Sequence, residues 1–169
     1  MLQHKIVFFL THICDRALYF QSLGWEVGVA VQVTDYRYSR KIKKLGFTLF
    51  DTKIERQSLN PFIEISRLIT LIKFYKVYKP SVVWHLGVKA IGYGTVAALF
   101  LRRMRQVGIV NSPIGLGFVF ASNSVKARLV RPIVKIIYKV LLNPRNSKVI
   151  VENPDDISSF ITAGALSPA

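Results

Sequence analysis

Hydrophobic positions along this chain fall into short, mostly β-branched runs separated by longer stretches with helical spacing. Runs of strand length are predicted at Ile6 to Leu10, Glu26 to Val31, Phe47 to Phe50, Val82 to His85, Val107 to Val110 and Lys148 to Val151. Near-continuous apolar runs suit strands of a parallel sheet covered on both faces. Helices are predicted between them, at Asp15 to Leu23, Tyr36 to Leu45, Pro61 to Tyr78, Val88 to Arg103, Val125 to Leu142 and Pro154 to Thr162. Glycines at 24, 46 and 164 close three of these helices, Asn60-Pro61 opens one and Lys79-Pro80 stops it; these are ordinary cap and stop signals. The Pro61 helix sets Ile65, Leu68, Ile69, Ile72 and Tyr75 on one face. The Val88 helix carries Ala90, Gly92, Gly94, Ala97 and Ala98, small enough for close packing on a sheet. Strict alternation of the two patterns predicts an α/β fold, a Rossmann-like doubly wound parallel sheet with helices on both faces. One domain over residues 1–169 is expected.

Three strands end in polar or glycine-rich residues: Ser81 to Lys89, Val110 to Phe118 and Val149 to Asp156. In an open parallel sheet, ligands bind at such carboxyl ends. His85 closes one strand and Lys89 lies one turn into the next helix. A cation there is opposed by the helix dipole unless an anion joins them. Lys89 therefore reads as a phosphate contact with His85 as a polar or acid–base neighbour, or as a solvated lysine beside a backbone-bonded histidine. Asn111 to Gly117 has Gly115 and Gly117, which let backbone approach a ligand, or simply form a turn. It is neither a Walker loop nor a dinucleotide fingerprint. Glu152 to Asp156 reads as a helix cap, with Asn153 as N-cap and Pro154 at the first helical position. Arg56, Ser58 and Asn60, in the long connection before the third helix, read as lining a polar pocket, or in the case of Asn60 as a plain helix cap.

Composition adds a partner class. With 24 Lys plus Arg against 9 Asp plus Glu, the net charge of +15 calls for phosphate, nucleic acid or anionic lipid. The helix near residues 125–142 aligns Arg128, Arg131, Lys135 and Lys139 as a basic stripe. Leu129, Ile133, Ile136, Ile137, Val140 and Leu141 supply its apolar side. Such a helix either lies on an anionic membrane or packs its apolar side on the sheet. Further basic residues cluster at Arg37 to Lys44, Lys73 to Lys79 and Arg102 to Arg105. A single cysteine, Cys14, excludes an internal disulfide and a multi-thiolate metal site, and points to a reducing compartment. No secretory signal or spanning segment is expected: Ala90 to Leu101 falls short of the ~20 apolar residues required.

Together, Arg56-Gln-Ser-Leu-Asn-Pro61, Val82 to Lys89 with Tyr93-Gly94, Gly115-Leu-Gly-Phe118 and Arg145 to Asp156 resemble the N-terminal half of a family 4 glycosyltransferase. The likeness is to bacterial enzymes that extend polyprenyl-diphosphate-linked sugars in surface polysaccharide or glycoprotein assembly, and it covers nearly the whole chain. The resemblance implies two facing Rossmann-like domains, with acceptor held mainly by the first and nucleotide-sugar mainly by the second. It implies retaining sugar transfer in the cleft, with no metal and no cofactor; the nucleotide-sugar is a substrate. Lys89 and Arg56 would face the acceptor diphosphate, and His85 is the candidate catalytic group. Ser58, Asn60, Asn111, Gly115 and Gly117 would line the acceptor side. The basic helices would hold the protein peripherally on the inner face of the cytoplasmic membrane.

Two departures from the family pattern stand out. The sequence reaches Ala169 where a linker to the donor-binding domain is expected, which reads as an excised domain, a gene fragment, or one half of a split enzyme with a separate C-terminal half as its partner. Phe8 to His12 resembles a segment that follows the first strand in relatives, so that strand is shortened or missing. A nucleic-acid-binding α/β module is the alternative from charge alone. It lacks aromatics interleaved with the basic clusters and any nucleic-acid motif, so no nucleic-acid partner is expected. An oxidoreductase is disfavoured by the absent phosphate-binding fingerprint.

Overall fold

The computed structural model describes residues 9–33, 35–54, 60–104, 106–114, 125–151, 153–162 and 164–166. A π-helical turn, Phe9–Ile13, leads into α1 (Cys14–Ser22), followed by β1 (Gly28–Val31), α2 (Tyr36–Lys44), β2 (Thr48–Asp51) and α3 (Pro61–Tyr78). Then come β3 (Val82–Leu86), α4 (Val88–Arg102), β4 (Gly108–Ser112), α5 (Val125–Leu141), β5 (Ser147–Val149) and α6 (Pro154–Thr162). Local chemistry sets these boundaries. Asn60 accepts the Phe62 amide at 3.1 Å, capping α3. Asp35 accepts the Arg37 amide at 2.8 Å, capping α2. Past Gly24, the Trp25 amide reaches back to the Phe20 carbonyl at 3.1 Å, closing α1 in a Schellman motif.

All described strand pairings are parallel. One sheet joins β1 to β2, with Val29 opposite Leu49; another has the order β3-β4-β5, with His85 opposite Asn111 and Asn111 opposite Val149. The chain forms two compact units, Met1–Thr70 and Leu71–Ala169. The strand expected over Ile6 to Leu10 is corrected at its described end. Phe9 and Leu10 belong to the helical turn and still serve the core, with the Phe9 ring edge-on to Phe47 at 5.9 Å. Ile6 to Phe8 lie outside the described residues.

Each unit has its own core. In the first, Cys14, Ala17, Val29, Ile42 and Phe47 are buried together. In the second, Ile91, Val134, Tyr138, Leu141, Leu142 and Phe160 form the cluster, with Tyr138 edge-on to Phe160 at 6.1 Å. Burial of each large apolar side chain contributes ~1.5–3 kcal/mol. At the amino end of the second sheet, Arg102 donates to the backbone carbonyls of Val107, Arg145 and Asn146, fastening the α5–β5 connection.

Candidate functional site

The second unit's sheet ends in a buried polar network. His85 and Asn111, opposite each other on β3 and β4, point to the same face, and their side chains meet at 2.8 Å between Nδ1 and Oδ1. The Asn111 amide nitrogen donates to the Leu141 carbonyl at 3.0 Å, which turns its oxygen toward His85. Nδ1 of His85 must then carry the proton, leaving Nε2 to accept from the Tyr75 hydroxyl at 3.1 Å. Thr95 also donates to Asn111 Oδ1 at 3.2 Å. Four helices and strands are thereby tied to one neutral imidazole.

Burial holds this histidine neutral. It is only 4% exposed, and desolvation pulls its pKa down to about 4 against a smaller upward pull from the Asn111 hydrogen bond. The same desolvation pushes the Tyr75 hydroxyl up. Gly94 makes room for the ring: a Cβ there would fall inside the imidazole. The sequence pattern put His85 at an accessible rim. The structure puts it one layer below, with both nitrogens engaged. Asn111 is likewise fully buried and acts inside the network rather than lining a surface.

Above this layer, Gly87 carries the chain from β3 into α4 at φ +82°, a conformation costly for any residue with a side chain. Its amide donates to the Ser112 carbonyl at 2.9 Å, joining the ends of β3 and β4. No side chain caps the start of α4, and Lys89, half-buried, stands in its first turn. The rim therefore combines a helix N-terminus with a cation, an arrangement suited to phosphate oxygens.

In the first unit, Asn60 is exposed and works as the α3 cap. Arg56, Ser58, Gly115 and Gly117 lie outside the described residues. Sequence reading missed Asp51 at the end of β2, whose Oδ1 accepts the Val33 amide at 3.1 Å and the Lys53 amide at 3.0 Å. It also missed Tyr75 and Thr95, which read as ordinary helix positions. A carboxylate directly after a strand was the one available local signal.

On α5, Arg128, Lys135 and Lys139 are exposed and Arg131 is half-buried. The expected packing face is corrected: Val134, Tyr138 and Leu141 face inward, while Ile136 and Val140 are 65% and 63% exposed beside the basic stripe. Among the described residues, no helix is long and apolar enough to cross a membrane, and no three His, Cys, Asp or Glu side chains cluster to hold a metal ion.

Comparison with known proteins gives three results. The sequence pattern of the family described as glycosyl transferase 4-like matches residues 5–153. The N,N'-diacetylbacillosaminyl-diphospho-undecaprenol alpha-1,3-N-acetylgalactosaminyltransferase of Campylobacter jejuni subsp. jejuni is 28% identical over 112 residues, covering 66% of this chain and 29% of that protein. The crystal structure of Acinetobacter baumannii MurG superposes with a TM-score of 0.50 at 16% identity, covering 90% of this chain and 43% of that one. The shared fold is Rossmann-type α/β. This chain thus spans less than half the length of either protein.

Proposed function

Because the chain belongs to the glycosyl transferase 4-like family, we propose that it forms the acceptor-binding side of a glycosyltransferase. The complete enzyme moves a sugar from a nucleotide-sugar to a polyprenyl-diphosphate-linked saccharide, the acceptor class named for the Campylobacter relative. The observation that carries this reading is the start of α4, where Gly87, a helix start without a side-chain cap and Lys89 coincide at the carboxyl ends of β3 and β4. A cation in a first helical turn is disfavoured by ~0.3–1 kcal/mol. A bound diphosphate reverses that sign, since both dipole and ammonium then act on the same anion. In this reading His85 is a positioning residue: its network fixes the strand ends from below.

Peripheral attachment to the inner face of the cytoplasmic membrane belongs to the same proposal. It is supported by the α5 surface, where Ile136 and Val140 are exposed next to Lys135 and Lys139. Apolar side chains flanked by cations suit a helix lying in an anionic headgroup layer.

Calorimetric titration with geranyl diphosphate, a water-soluble short polyprenyl diphosphate, tests the rim. The expected result is saturable binding that Lys89→Ala weakens at least tenfold, as loss of a charge-assisted contact should. Equal affinity of wild type and variant, or no binding by either, contradicts the proposal.

A further inference from the structure

We infer that Trp84, acting through Ser112, is a positioning residue for the diphosphate rim at the start of α4; this rests on the acceptor-side reading above. All residues involved belong to the second unit. Trp84 stands on β3 and Ser112 ends β4. Side chains alternate along a strand, so both lie on the sheet face opposite His85 and Asn111. The parallel register sets Trp84 beside Val110 and Leu86 beside Ser112. The indole therefore reaches diagonally, two positions toward the carboxyl end, and its Nε1 donates to the Ser112 hydroxyl oxygen at 2.8 Å.

The Ser112 backbone links that bond to the rim. Its carbonyl accepts two amides, from Gly87 and from Ile114, each at 2.9 Å. Gly87 turns the chain into α4 at φ +82°, and its own carbonyl accepts the Ile91 amide at 2.9 Å, an opening bond of that helix. Amides ahead of this bond have no carbonyl partner inside the helix, and their direction follows Gly87. Contacts thus run from indole to serine, from serine carbonyl to Gly87, and from Gly87 to the helix start that carries Lys89.

Burial makes the link stiff. Ser112 is 5% exposed and Trp84 half-buried, so water competes weakly for the hydroxyl. One torsion separates Oγ from the serine backbone, and fixing Oγ restrains the residue. The strands are already joined by their ladder and by the buried His85–Asn111 pair. What the indole adds is control of the last residue of β4, the one that touches the start of α4. Charge-assisted contacts weaken with misalignment, so a helix start turned slightly away loses diphosphate while the sheet stays folded.

The test repeats the geranyl diphosphate titration with Trp84→Phe, Ser112→Ala and Ser112→Thr, with circular dichroism as a check on folding. Trp84→Phe and Ser112→Ala should each weaken binding about three- to tenfold, the range of one hydrogen bond. Their combination should be no weaker than either alone, because both remove the same bond. Ser112→Thr, which keeps the hydroxyl, should restore most of the affinity. In a Trp25→Phe background Trp84 is the one remaining tryptophan, and saturating geranyl diphosphate should shift its emission. Wild-type affinity in Trp84→Phe, losses that multiply in the double variant, or unshifted emission overturns the inference; where a variant does not fold, the emission decides. Binding by wild type that these variants match removes the role of Trp84 and leaves the proposed function standing. No binding by wild type removes both.

Discussion

At the residue scale, His85 shows how burial changes what a polar group is for. Its pKa of about 4 in the folded chain lies below its ordinary value near 6.5, so between those values the unfolded chain binds more protons. Stability contributed by the neutral ring is complete above pH ~6.5 and is lost as pH falls toward ~4, by an amount on the order of 3 kcal/mol. Urea unfolding followed from pH 7 down to pH 4 should show this fall, and His85→Gln should flatten it. A ring found by NMR to titrate near its ordinary value would contradict the buried, hydrogen-bonded placement. Gly94 belongs to the same unit of structure. Gly94→Ala should destabilise by ~1–3 kcal/mol through overpacking, and most of that cost should vanish in a His85→Ala background, because the two positions contest one space. Additive losses in the double variant would mean that they do not touch.

At the scale of elements, α5 is the informative case. Its buried arc (Val134, Tyr138, Leu141) and its exposed apolar residues (Ile136, Val140) lie on different sides of one helix. Exchanging Lys135 and Lys139 for glutamine should lower partition into phosphatidylglycerol vesicles about fivefold per residue, from ~1 kcal/mol each. Ile136→Ser with Val140→Ser should lower it further without loss of helix content. Unchanged flotation of either pair of variants would remove α5 from the membrane contact.

The same helix marks a limit of sequence reading. Spacing told that apolar and basic residues were segregated, but two apolar arcs flank the basic stripe and periodicity alone does not say which one faces the sheet. Where the deciding chemistry is local, the sequence is sufficient: Asn60-Pro61 starts α3 and Gly24 ends α1 because caps involve only neighbours in the chain. Phe9 and Leu10 misled because a five-residue apolar run serves equally as a strand or as a buried helical turn. His85 looked accessible because its partners, Tyr75, Thr95 and Asn111, are 10, 10 and 26 residues away.

At the scale of the whole molecule, the surplus of 15 positive charges is both an attraction and a source of self-repulsion. It draws the chain toward any anionic surface, with screening over ~10 Å at 0.1 M salt. Such attraction is unspecific; the proposed recognition of a lipid-borne diphosphate rests instead on the fixed geometry at the start of α4. The two contributions separate in one flotation assay, run with vesicles of phosphatidylglycerol and phosphatidylethanolamine, with and without a long-chain polyprenyl diphosphate, at matched surface charge. Wild type should partition more strongly when the diphosphate is present, and Lys89→Ala should lose that increment while keeping its salt-sensitive binding to the plain vesicles. An increment of equal size in the variant, or none in wild type, would contradict the account.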